Sequence, residues 1–187
     1  LYYTSYITYA ENRNADAERN FKVLAKYQPY DELVPFYLLQ LEYRKGNYDY
    51  VIAEGERLIS QTSQNTYNDL VRIIAESYFI KGDYANAIRY ISKYPAEDMS
   101  RQEYYIQGYS LYRMARYGEA IKPLVKVCGA MDALTQNASY HLGDCYLRCG
   151  VKRSAADAFA MASVEGFDAD IARDALLNYG RLMYELG

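Results

Sequence analysis

The segment KGNYDYVIAEGERLI at Lys45–Ile59 returns, altered but recognisable, as KGDYANAIRYISKY at Lys81–Tyr94. Self-similarity at a step of roughly 20 to 50 residues dictates a stack of like supersecondary units, and so constrains the fold more than any other feature. Further copies follow once the glycines are aligned. MARYGEAIKPL fits with Ala115 in the place of Gly82, so that Tyr117, Ala120, Ile121 and Leu124 fall on Tyr84, Ala87, Ile88 and Ile91. CGVKRSAADAF fits with Gly150 there and with Ala155 and Phe159 on Ala120 and Leu124. ENRNADAERNF supplies the earliest copy, with Asn12, Ala17 and Phe21. The aligned positions Asn12, Gly46, Gly82, Ala115 and Gly150 are separated by 34, 36, 33 and 35 residues.

Gly and Asn adopt the left-handed backbone that ends a helix most easily, so each aligned position is predicted to close one helix. Ahead of it stand apolar residues at helical spacing, such as Tyr140, Leu142, Cys145 and Tyr146 before Gly150. Behind it a small residue is followed four places later by a large apolar one, which predicts a second, closely packed helix. The coarse reading places helices at about 1–11, 14–27, 32–45, 48–61, 66–81, 84–94, 101–115, 118–129, 133–149, 152–164 and 169–186, each end uncertain by about two to four residues. Pro35 suits a first helical turn, whereas Pro123 falls inside a helix and is expected to bend it.

The run LGDCYLRCG at Leu142–Gly150, with AADAF after it, resembles the tetratricopeptide repeat (TPR) pattern of L-G-x-x-Y, a turn glycine and A-x-x-x-F. The resemblance covers essentially the whole chain. It implies an all-α, right-handed superhelical solenoid of about five helix hairpins, at about 1–29, 32–63, 66–97, 101–130 and 133–166, plus a terminal helix at 169–187. Pro29 matches the proline that often closes such a repeat. Two copies depart from the pattern: Ser5 stands at the small first-helix place of the first, and Leu39 and Val51 replace small residues in the second, so looser packing is expected there. The terminal helix presents Leu176, Leu177, Tyr179, Leu182 and Met183, read as a cap on the preceding hairpin. With Leu1 rather than Met at the start and no second helix after Gly187, a piece of a longer array is expected.

Composition excludes several functions. With 21 basic against 24 acidic residues and alternating signs, the chain has no basic stripe for nucleic acid. No apolar run reaches the length of about 20 residues that spans a bilayer, so membrane insertion is not expected. The single histidine, His141, shares one helical stripe with Cys145 and Cys149, but a structural zinc site wants a fourth ligand and small thiols are common in helical cores. No metal, no cofactor and no catalytic group is predicted. The chain reads as a non-enzyme.

Tyrosine is the compositional oddity: 24 Tyr beside five Phe and no Trp. In TPR proteins the first helices line the binding groove, and the resemblance implies that its contacts come from places 13, 10, 6, 3 and 2 before the turn. These places hold Tyr43, Arg44, Arg72, Phe79, Tyr105, Tyr109, Tyr112, Arg113, Tyr140, Asp144 and Arg148. Tyr and Arg are enriched in recognition surfaces because each combines a large contact area with a polar handle. A protein or peptide segment bound in an aromatic groove is therefore the expected function, and a structural module that self-associates through the terminal helix is the alternative. The Lys and Asn of a chaperone-tail clamp are absent from the corresponding places. The tyrosine-rich style and the ending NYGRLMYELG resemble large TPR scaffolds of bacterial cell envelopes, which implies a periplasmic or outer-membrane-associated location.

Overall fold

All five aligned positions have left-handed backbone, with φ of 59° at Asn12, 81° at Gly46, 78° at Gly82, 57° at Ala115 and 77° at Gly150. Within the units, Asn12, Gly46, Ala115 and Gly150 reverse the chain between paired helices. At Gly150 the amide donates to the carbonyl of Leu147 and the next amide, of Val151, reaches back to Tyr146, so the orphan carbonyls of the helix end are satisfied. In this computed structural model residues 1–28, 30, 33–61, 64–164 and 166–187 are described, apart from the side chains of residues 64 and 65; Pro29 lies outside them.

The described residues form helices and no strand. They divide into two units, Leu1–Asp83 and Tyr84–Gly187. In the first unit, α1 (Tyr2–Ala10) pairs with α2 (Asn14–Leu24), α2 with α3 (Leu33–Arg44), α3 with α4 (Tyr48–Ile59), and α4 with α5 (Gln64–Ile80), while α3 also meets α5. The second unit repeats the scheme. Here α6 (Tyr84–Ile91), α7 (Arg101–Arg113), α8 (Tyr117–Val127), α9 (Ala133–Arg148), α10 (Lys152–Val164) and α11 (Ala169–Leu186) pair in chain order, with α7 against α9 and α9 against α11 as well. Contact between alternate helices makes α7, α9 and α11 one continuous layer. Observed boundaries lie within three residues of the predicted ones throughout, the largest difference being where short turns such as 92–94 replace a last helical turn.

Packing between paired helices is set by size. Ala17, Ala87, Ala120 and Ala155 are fully buried, as the close approach of a second helix requires. Seven places before the turn, Gly108 and Gly143 leave room for side chains from the following helix. A Cβ on Gly108 would stand 2.8 Å from Leu124 Cγ, and one on Gly143 would stand 2.8 Å from the Phe159 ring. The second hairpin solves the same problem in reverse. Leu39 and Val51 are as buried as any core residue, so the expectation of looser packing is corrected. The missing volume is on the other helix: Gly55 lies where the other copies carry Phe21, Ile91, Leu124 or Phe159, and a Cβ there would meet Ile74 Cγ1 at 2.7 Å and Leu39 Cδ2 at 3.5 Å. Large faces small in either order.

Pro123 is buried inside α8, which continues as helix to Val127. The closing helix differs from expectation. Ala175 and Leu182 seal against the cluster of Ala155, Ala156, Phe159 and Ala162, and Tyr179 packs beside them. Leu176, Leu177 and Met183 remain exposed, at 58%, 67% and 37%, so α11 caps through one narrow stripe only.

Candidate protein interaction surface

The predicted site residues divide between the units and are described within each. In the first unit, Arg72 is ion-paired with the buried Glu76 at 3.1 Å, and the Tyr43 phenol lies beside the same carboxylate. Burial and that carboxylate raise the Tyr43 phenol well above its ordinary range, so it stays a neutral donor. Arg44 lies over the Tyr9 ring, 3.9 Å from its centroid, and donates to the Tyr9 carbonyl at 3.0 Å and the Asn14 amide oxygen at 3.1 Å. Phe79 lies on α5 and is half-buried.

In the second unit the predicted tyrosines come together. Tyr105 stacks on Tyr109 at 5.5 Å, Tyr109 meets Tyr112 at 6.0 Å, and both Tyr109 and Tyr112 press on His141 of α9, at 4.8 and 4.6 Å. Spacings of four and three along α7 place the rings in one row, and the contact of α7 with α9 turns that row against the next first helix. Tyr140 extends the row by meeting His141 edge-on at 5.5 Å. His141 was not among the predicted site residues; its single occurrence drew attention to metal chemistry, whereas its ring serves as the centre of an aromatic cluster. Burial favours its neutral form and lowers its pKa to about 4, with the Arg113 charge adding to this and Asp144 opposing it.

The hydroxyls of these tyrosines obey a register. Tyr9, Tyr43 and Tyr112, three places before their turns, reach Gln40, Glu76 and Asp144, six places before the next turn. Tyr105 and Tyr140, ten before their turns, reach Asn137 and Asp174, which stand thirteen before Gly150 and Gly187. Each ring therefore lies half-buried between successive first helices while its hydroxyl holds the next hairpin in place. Burial, reinforced at Tyr112 by Asp144, raises the Tyr105 and Tyr112 phenols, and Tyr140 is pushed up to about 12. The tyrosine excess supplies packing area with a directional bond at its end, which phenylalanine does not offer.

A second register governs the cations. The residue two places before a turn meets the residue two places after the preceding turn: Arg44 with Asn14, Arg113 with Tyr84, Arg148 with Tyr117, and Glu185 with Lys152. Arg148 lies 5.6 Å from the Tyr117 centroid and is also paired with Asp144 at 3.3 Å. Arg113 donates from Nη1 to the hydroxyls of Tyr84 at 2.9 Å and Tyr109 at 3.1 Å. Tyr84 and Tyr117 were missed as site residues, although tyrosine recurs two places after the turn at Tyr48, Tyr84 and Tyr117.

Among the described residues no group of three His, Cys, Asp or Glu side chains is placed to hold a metal ion. Cys145 is buried, its thiol pushed up to about 12, and Cys149 is exposed. No helix among the described residues is long and apolar enough to cross a membrane.

Residues 44–127 match the family model for the anaphase-promoting complex, cyclosome, subunit 3. No curated protein matches the chain in sequence. Among solved structures, MamA (41 to end) from Desulfovibrio magneticus RS-1 superposes with a TM-score of 0.66 at 15% identity, covering 85% of this chain and 89% of that one. Yeast Tom70 gives 0.57 at 16% identity over 99% of this chain and 39% of that one. A thermophilic TPR protein of Thermus thermophilus gives 0.50 at 17% identity over 97% and 96%. At these identities the likeness shows the fold, and that fold is the TPR solenoid.

Proposed function

We propose that this chain is a non-catalytic scaffold whose α7–α9 layer binds a segment of another protein. The observation that carries the reading is the row Tyr105, Tyr109, Tyr112 and Tyr140, held rigid around His141 with Arg113 and Arg148 at its edge. Rings already fixed by neighbours and hydroxyl bonds lose little rotamer freedom on binding, so their contact area converts to affinity more fully than that of mobile side chains. An extended or helical segment with apolar anchors is the ligand that such a shelf accepts. The family match and the TPR fold support protein partners as a class.

The test is a pull-down from native extract with immobilised wild-type chain, Tyr109→Ala, and Arg89→Ala as a control on exposed α6 surface. Hot-spot truncations typically cost ~1 to 4 kcal/mol of affinity, so bound partners should survive Arg89→Ala and be lost from Tyr109→Ala. Equal recovery on all three baits refutes the reading. Melting temperatures recorded alongside separate a lost contact from a lost fold.

A second reading, self-association of the module, is favoured by the outward face of α11, where Leu176, Leu177 and Tyr184 are 58%, 67% and 90% exposed. Sedimentation velocity across a concentration series, with Leu177→Glu as the disrupting variant, decides it: a wild type that stays monomeric rules it out.

A further inference from the structure

The three arginines two places before their turns are not equivalent. Arg148 is paired with Asp144 at 3.3 Å, whereas Arg44 and Arg113 each donate twice from Nη1, Arg44 to the Tyr9 carbonyl and Asn14; of these two, Arg113 is the one that stands beside the Tyr105, Tyr109 and Tyr112 row. Arg113 has no carboxylate within ion-pair range among the described residues. Its two hydrogen bonds both leave from Nη1, to the hydroxyls of Tyr84 and Tyr109, and its guanidinium lies 4.8 and 5.7 Å from the centroids of those rings. The guanidinium is exposed, yet both phenols fix its position.

The two parallel N–H bonds on the Nε–Nη2 edge are the pair that binds a carboxylate bidentately. On Arg113 no hydrogen bond from that edge is made among the described residues. We infer that Arg113 is the docking point for an Asp or Glu side chain of the bound segment, with apolar residues beside it seated on Tyr84 and Tyr109. The inference rests on the reading of the α7–α9 layer as a peptide-binding surface and adds one chemical requirement, a carboxylate at one place in the ligand. Charge complementarity argues for it: a cation already ordered, with no counter-ion among the described residues, gains from an acidic ligand without the cost of immobilising its side chain.

The probe is a displayed library of random heptapeptides, panned against the full chain, Arg113→Gln, Arg113→Lys and Tyr109→Ala, with each variant's melting temperature measured first. Wild type should enrich peptides with Asp or Glu at one place next to an apolar residue. Arg113→Gln should lose the acidic preference by tenfold or more while keeping the apolar one, and Arg113→Lys should keep a weakened acidic preference. If wild type enriches apolar or aromatic residues with no acidic place, the carboxylate inference falls and the binding surface stands. If the acidic preference survives Arg113→Gln, the inference also falls. Enrichment no greater than on Tyr109→Ala overturns both.

Discussion

The same substitution, glycine to alanine in mid-helix, should have opposite signs at two places in the second unit. Gly180 sits in α11 with no atom within 4 Å of a built Cβ, so Gly180→Ala keeps only the helix-propensity gain, ~0.8 to 1 kcal/mol. Gly143 carries the same propensity term. Its Cβ, however, would lie 2.8 to 2.9 Å from Phe159 Cδ1, Cε1 and Cγ, well inside the usual carbon–carbon contact of about 3.5 to 4.0 Å. The ring has nowhere to go, because Phe159 is 2% exposed and packed among Ala155, Ala156, Ala162, Ala175 and Leu182. Overpacking of this kind costs ~1 to 3 kcal/mol, and a ring this confined argues for the upper half, so Gly143→Ala should destabilise by ~1 to 2 kcal/mol net. Urea unfolding followed by circular dichroism reads both, and the transition of the second unit serves each variant equally. Gly143→Ala combined with Phe159→Leu should lose less than the sum of the two single changes by ~1 kcal/mol or more, the signature of contacting residues. A Gly143→Ala protein as stable as Gly180→Ala would refute the size-matching argument.

Three further outcomes are expected. Ala115 holds φ of 57°, a conformation that costs an L-residue ~1 to 2 kcal/mol, so Ala115→Gly should raise stability by ~0.5 to 1 kcal/mol after its greater unfolded-state entropy is subtracted; an unchanged or lowered urea midpoint contradicts this. Tyr112→Phe removes the bond to Asp144 and should cost ~1 to 2 kcal/mol by the same assay, more than Tyr104→Phe, whose hydroxyl reaches only the exposed Ala96 carbonyl. His141 takes its proton near pH 4 in the fold and near 6.5 when unfolded, so the unfolded chain binds more protons between those values and stability falls as pH is lowered through that window. From pH 7.5 to 5 the loss should be ~2 kcal/mol, absent from His141→Gln; equal pH slopes for the two proteins exclude the mechanism.

What could be read from the chain alone was whatever repeats. Asn12, Gly46, Gly82, Ala115 and Gly150 recur at nearly constant spacing, and a turn that needs left-handed backbone restricts the residue locally, so helix number and boundaries followed. The small alanines were legible for the same reason. Leu39 misled because size matching is a property of pairs: a large residue in a small place looks like a fault until Gly55, sixteen residues on, is seen to yield the space. The site was legible as a set of places and not as a set of bonds. That Tyr105, Tyr109 and Tyr112 share a row follows from helical spacing, whereas the hydroxyl partners Asn137, Asp144 and Asp174 depend on how one hairpin is set against the next. Arg44, Arg113 and Arg148 are identical in register and differ in surroundings because Asn14, Tyr84 and Tyr117 differ opposite them.

The reversed pair in the second hairpin bears on how such a chain can change by recombination. Exchange of α4 for the equivalent helix α8 or α10 would bring Leu124 or Phe159 into the space of Gly55, against both Leu39 and Ile74. Exchange of α3 alone would leave Gly55 facing a void wherever Leu39 was replaced by glycine. The smallest piece that can be duplicated or traded without a collision is therefore α3 through α5 together, a segment longer than one repeat. Crossovers within it should be selected against even though the 36-residue echo invites them at the level of DNA, whereas Gly108–Leu124 and Gly143–Phe159 keep the same order of small then large and differ from this pair in that respect.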